Sequence, residues 1–131
     1  MKNVELGVVD PINDFDEVVY ISHPFQNKKS NVEKIQNIVR QLTIKYPRSL
    51  FICPVLTFGF LYNEVSYEKG LAMAMRQLVD CDRMIVYGDW EHSRGCKEEI
   101  RYCQTHNIPY KIEIKYPFDY DLNNVNQCTL Y

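Results

Sequence analysis

The chain has 131 residues, 46% of them hydrophobic and 24% charged, with a formal net charge of −2. That length suffices for one domain with its own core. The charge balance argues against a basic surface built to hold nucleic-acid phosphates, and no apolar run approaches the roughly 18 residues of a membrane span.

The opening residues lack a long apolar core ahead of a small-residue cleavage site, so no secretory leader is expected. Five cysteines (Cys53, Cys81, Cys96, Cys103 and Cys128) form an odd set without a C-x-x-C pair. Neither a disulfide framework nor a zinc ribbon is therefore expected, and reduced thiols suit a cytoplasmic protein. His23, His92 and His106 are scattered without metal-ligand spacing, so neither a metal nor a cofactor is expected.

In chain order, Val4 to Val9 reads as a candidate edge strand, and Asp10 to Asp14 as a turn. Glu17 to Ser22 is β-branched and aromatic, a strand that Pro24 stops. Ser30 with Glu33 suggests a capping box opening a helix that runs to about Lys45, with Val32, Ile35, Ile38, Val39 and Leu42 on one face. Leu50 to Cys53 is a short buried strand ended by Pro54. Val55 to Val65 is a loop rich in aromatics, either a packed cover or a lid. Ser66 caps a helix expected over 67–80, with Leu71, Met75 and Leu78 facing the core. Met84 to Tyr87 is a third strand. Lys97 to Gln104 is a helix carrying Ile100 and Cys103 on one side, and Tyr110 to Ile114 is a fourth strand. The flanks, 1–17 and 116–131, carry no firm assignment.

Strands alternating with helices predict an α/β fold: a single doubly wound, Rossmann-like domain with a mainly parallel sheet of four or five strands. Right-handed crossovers give the order 2-1-3-4. Ligands of such sheets bind beyond the carboxyl ends of the strands at the point where the strand order reverses. That rule gathers Tyr20, Ser22, His23, Pro24 and Phe25 from the first strand with Gly88, Asp89, Trp90, Ser93 and Gly95 from the third, and places Glu99 behind them. Ser93 also reads as a helix cap. Cys96 lies near a helix N-terminus, where a thiolate is favoured, so a Cys–His nucleophile with His23 or His92 is an alternative. Arg76 and Arg94 are candidate phosphate contacts.

Four features carry a family resemblance: Val19-Tyr20-Ile21-Ser22-His23-Pro24, Cys53-Pro54, Tyr67-Glu68-Lys69-Gly70-Leu71 leading to Cys81-Asp82, and Trp90-x-x-Ser93-x-Gly95-Cys96-x-x-Glu99. Over about residues 18–112 the chain resembles the nucleoside 2-deoxyribosyltransferase-like superfamily, and most of all its small bacterial and phage branch. The resemblance implies that Glu99, six residues after Ser93, attacks the anomeric carbon of a sugar, and that Tyr20 positions it. It implies that Ser93 contacts the sugar or its 5′-phosphate and that Asp82 handles the base. It also implies a homo-oligomer whose neighbouring C-terminal part completes the site, with Asn123, Asn124 and Tyr131 as candidates. One departure is the first loop, Ser22-His23-Pro24-Phe25, where the characterised enzymes carry a small glycine-rich turn.

Two functions follow as expectations. One is a cofactor-free N-glycosidase or deoxyribosyltransferase acting on a nucleoside or nucleotide. In that reading a carboxylate stabilises or traps an oxocarbenium-like centre, and Asp82 or Asp89 protonates the base. The other is a non-catalytic nucleotide-binding protein, such as a phage protein that sequesters a nucleotide-derived defence signal in the host cytoplasm. A structural module that uses the fold without its pocket is a third.

Overall fold

The structure is a computed structural model that describes residues 9–117. Its elements run β1 (Glu17–Ser22), α1 (Lys29–Lys45), β2 (Ser49–Ile52), α2 (Pro54–Phe58), a 3₁₀ turn (Gly59–Leu61), α3 (Tyr67–Leu78), β3 (Arg83–Val86), a second 3₁₀ turn (Trp90–His92), α4 (Arg94–His106) and β4 (Tyr110–Ile112). The four strands pair in parallel in the order β2-β1-β3-β4. This is the α/β, doubly wound architecture with the strand order that the alternation of elements predicts. Residues 4–8 of the candidate edge strand and the C-terminal candidates Asn123, Asn124 and Tyr131 lie outside the described residues. Among the described residues, no helix is long and apolar enough to cross a membrane.

Alternation along β1 sorts its side chains between two cores. Val19 and Ile21 face α1, packing with Ile35, Ile38 and Leu42. Tyr20 faces the other way, packing with Leu78 of α3, Met84 of β3, and Ile100 and Cys103 of α4. Every residue of this inner set is buried. A strand covered on both faces has no solvent side, which is why β1 and β3 read as near-continuous apolar runs.

The amino ends of the strands are tied by polar groups. Arg83 donates to both oxygens of Glu17 (2.8 and 2.9 Å), and Ser49 Oγ donates a third bond (2.7 Å). These bonds, the arginine's first, hold the Glu17 carboxyl down at about 2 despite partial burial. Asp82 belongs to this end too. Its carboxylate accepts from the Val18 amide (2.7 Å) and its own amide donates to the Val18 carbonyl (2.9 Å).

Local chemistry explains the remaining boundaries. Ser66 caps α3 as expected, accepting from the Lys69 amide. Ser93 caps α4, accepting from the Cys96 amide (3.2 Å), so that helix begins three residues before the expected Lys97. Asn107, left-handed at φ 56°, closes α4. The capping box at Ser30 does not form. Gln26 and Asn27 both adopt positive φ and turn the chain sharply, so α1 starts at Lys29 with Lys28 as an uncapped N-cap. The Asn31 side chain instead ties back to the Phe25 carbonyl (2.8 Å). The 55–65 segment contains the short helix α2 and a 3₁₀ turn. Pro54 starts α2, a position where its missing N–H costs nothing.

Candidate functional site

The carboxyl ends of β1 and β2 and the amino end of α4 surround a cavity of about 600 Å³. Strand alternation sends Tyr20 and Ser22 to the α4 side of the sheet. On α4, Glu99 shares the inward face with Ile100 and Cys103, and Cys96 lies one turn earlier. Glu99 is 9% exposed. Tyr20 Oη donates a short hydrogen bond to Glu99 Oε2, and Ser22 Oγ donates to Oε1 (2.6 Å). Each carboxylate oxygen is thus oriented by a hydroxyl from the same strand, and the side chain forms part of the cavity wall.

Burial dominates the electrostatics of this carboxyl. It pushes Glu99 up to about 7, against the Ser22 and Tyr20 hydrogen bonds, which favour the charged form. Tyr20 is held well above the usual phenol range, chiefly by burial and then by the Glu99 charge. It therefore remains a donor. Ser22→Ala removes one bond to the ionised form, and the apparent pKa of Glu99 is expected to rise by about one unit. Carboxyl-carbon NMR titration reads this directly, and an unchanged midpoint would show that Ser22 is a bystander.

The cavity is otherwise mostly apolar. Phe25 meets Tyr62 edge-on with centroids 5.3 Å apart, and both line the space with Phe58 and Leu61 from the 54–61 cover. The Arg94 guanidinium lies over the Tyr67 ring, 4.1 Å from its centroid. Ser93, Gly95 and His92 complete that rim. Among the described residues, Glu99 is the only carboxylate in the lining.

The structure therefore brings together Glu99, Tyr20, Ser22, His23, Phe25, Ser93 and Gly95. Ser22 reaches the glutamate rather than the open space. His23 is buried, with Nδ1–H donating to the Pro24 carbonyl (2.8 Å) and Nε2 accepting from Tyr116 Oη (3.2 Å). Burial lowers its pKa, so the neutral ring is favoured. Pro24 is buried behind it.

Other expected contacts lie elsewhere. Asp82 is not in the cavity: it precedes β3, and a parallel strand carries its first residue to the opposite end of the sheet from its last. Arg76 also lies away from the lining and pairs with Asp80. Trp90 is half-buried against the Tyr20–Leu78 core, covering the sheet end. Asp89 is exposed and engages His92 Nδ1 (2.8 and 3.0 Å). Gly88 is a backbone requirement. Its φ is +80°, and a Cβ there would lie 2.8 Å from His23 Nε2. Gly88→Ala is expected to cost roughly 2 kcal/mol in urea denaturation; a value near zero would mean that the turn relaxes freely.

The thiol alternative fails on burial. Cys96 is 1% exposed and pushed up to about 11, and Cys53 to about 12, mainly by desolvation. The helix N-terminus does not offset this, so both remain neutral thiols. Sequence reasoning missed Cys53 and Tyr67 as lining residues. Cys53 was read as a strand end and Tyr67 as the first residue of a helix, and both entered the family resemblance without a role at the site.

Neither a curated protein nor a solved structure matches the chain. A family profile described as Domain of unknown function (DUF7768) matches residues 17–113, a span that takes in every strand and helix among the described residues, with Tyr20, Ser22 and Glu99. The chain belongs to that DUF7768 family.

Proposed function

We propose that this protein is a nucleoside or nucleotide N-glycosidase or 2-deoxyribosyltransferase with Glu99 as the nucleophile. The observation that carries the reading is the clamped glutamate: a buried carboxyl with one hydroxyl on each oxygen, in the wall of a cavity large enough for a nucleoside. A glutamate with so high a pKa is half-ionised near neutral pH. It therefore combines availability as a carboxylate with the reactivity of a poorly solvated one. The Tyr20–Glu99 pairing is also the one that the resemblance to the deoxyribosyltransferase-like superfamily implies.

In this reading the ionised Glu99 attacks the anomeric carbon as the bond to the base breaks, forming a glycosyl ester. Water or a second base then displaces the glutamate. Tyr20 and Ser22 fix the attack angle. The base stacks among Phe25, Phe58 and Tyr62, which offer ring surface and few polar contacts, so selection among bases is by shape more than by hydrogen bonds. Ser93, Gly95 and Arg94 face the sugar or a 5′-phosphate.

A second reading is a non-catalytic nucleotide binder. The lack of a second carboxylate in the lining among the described residues favours it, because paired carboxylates are the usual equipment of glycoside cleavage. Base release separates the two. Ribo- and deoxyribonucleosides, their monophosphates and dinucleotides are incubated with the protein and with Glu99→Ala, and free base is followed by liquid chromatography. The enzyme reading predicts release that the variant loses. Thermal stabilisation by a nucleotide without release would favour the binder.

A further inference from the structure

We infer that His92, held by Asp89, is the acid that protonates the departing base, an inference that rests on the glycosidase reading above. A base leaving as its anion needs a proton at or near the cleaved nitrogen. Glu99 cannot supply it while attacking the sugar, and among the described residues it is the only carboxylate in the lining.

Five of the other ionisable lining groups are poorly placed to donate. His23 has Nδ1 on the Pro24 carbonyl and Nε2 on Tyr116, and burial favours its neutral ring. Burial raises Tyr67 above the usual phenol range. Cys53 and Cys96 sit at about 12 and about 11. The Arg94 guanidinium is engaged over the Tyr67 ring.

His92 differs in each respect. It lines the cavity on the rim that carries Ser93 and Arg94. Both oxygens of Asp89 lie within hydrogen-bond distance of Nδ1, so Nδ1 keeps its hydrogen and Nε2 is the exchanging nitrogen. Asp89 raises its pKa by hydrogen bond and charge, with Glu91 adding to this and Lys97 opposing it. The imidazolium is thereby more favoured than in a histidine without such a partner. The turn that carries the pair is anchored at both ends. Trp90 packs into the core and Ser93 caps α4, with the Ser93 amide bonded to the Trp90 carbonyl (3.0 Å).

The step balances. A Glu99 oxygen forms a bond to the anomeric carbon as the carbon–nitrogen bond breaks. The electron pair of that bond goes to the base, and the Nε2 proton of His92 follows it. His92 is left neutral with Nδ1–H still on Asp89. In hydrolysis, the same Nε2 takes a proton from the water that displaces Glu99. His92 is a catalytic residue in this scheme and Asp89 a positioning residue.

The test compares two leaving groups on one sugar: the best nucleoside substrate, and the 4-nitrophenyl glycoside, whose nitrophenolate departs without a proton. His92→Gln is expected to lower base release about 10²- to 10⁴-fold while nitrophenolate release stays within about three-fold. Asp89→Asn is expected to cause a smaller loss and to move the descending limb of the pH profile for base release to lower pH. Equal losses on both substrates, or undiminished base release by His92→Gln, would overturn the assignment of His92. A wild-type protein that releases neither leaving group would overturn the glycosidase reading itself, and this inference with it.

Discussion

Glu99→Gln is expected to lower base release by about 10³-fold or more, the scale on which removal of a nucleophile acts, with the fold intact. The amide is the same size and shape as the carboxyl, and its oxygen still accepts from Tyr20. Its nitrogen can donate to Ser22, whose hydroxyl turns to accept. Packing against Ile100 and Cys103 is thus preserved, and what is lost is the negative charge and the attacking oxygen. The wild-type rate on the free enzyme should rise with pH to a midpoint near 7, where burial has placed this carboxyl. Tyr20→Phe keeps the ring in its core and removes only the hydroxyl on Oε2. It should cost less than Glu99→Gln, because Ser22 still orients the other oxygen. A Glu99→Gln variant that turns over at the wild-type rate would leave the glutamate with a structural role only.

The same variant carries the largest expected effect on stability. Glu99 has a pKa of about 7 in the fold against an ordinary value of 4.5, so between those pH values the native state holds a proton that the unfolded chain has released. Stability therefore falls as pH rises through this window. The contribution is fully present below about pH 4.5 and lost above about pH 7. A shift of this size corresponds to about 3 kcal/mol. Glu17 works in the opposite sense: held at about 2, it contributes stability above 4.5 that is lost as pH falls towards 2. Buried His23 also opposes the trend, because its lowered pKa makes stability fall as pH drops below its ordinary 6.5. The difference between wild type and Glu99→Gln removes these common contributions. Urea denaturation at pH 4.5 and pH 8 should show the variant gaining about 3 kcal/mol on the wild type between the two conditions. A pH-independent difference would mean that Glu99 titrates normally and is open to water.

Much of the fold was legible because its elements are periodic and punctuated. The apolar runs of β1 and β3, Pro24 and Pro54 after their strands, and Ser66 before α3 each act locally, so sequence alone reads them. The start of α1 was not legible, since it depends on two consecutive left-handed residues, Gln26 and Asn27, that position the chain before Ser30 can cap anything. Within the site, topology and the resemblance to the deoxyribosyltransferase-like superfamily pointed to the glutamate. Strand alternation then explains why Tyr20 and Ser22, two residues apart, reach the same carboxyl. Asp82, which the resemblance implies for the base, shows where proximity in sequence is a poor guide. It is close to the site in sequence, but the length of β3 separates it from the carboxyl end of the sheet. Gly88 and Trp90 show a different limit: both sit at the site's edge by position, yet one is set by backbone geometry and the other by core packing. The cover formed by residues 54–61 could be named as an aromatic segment, but its shape depends on contacts such as Phe25 with Tyr62 that no local pattern encodes.

The central claim is that Glu99 bonds to the sugar, and mass spectrometry of the protein quenched during turnover tests it most directly. A sugar fluorinated at C2 slows breakdown of the ester and lets it accumulate. The account predicts a glycosyl adduct on the peptide containing Glu99, absent from Glu99→Gln. Base release with no adduct, or an adduct mapped instead to Cys53 or Cys96, would contradict it.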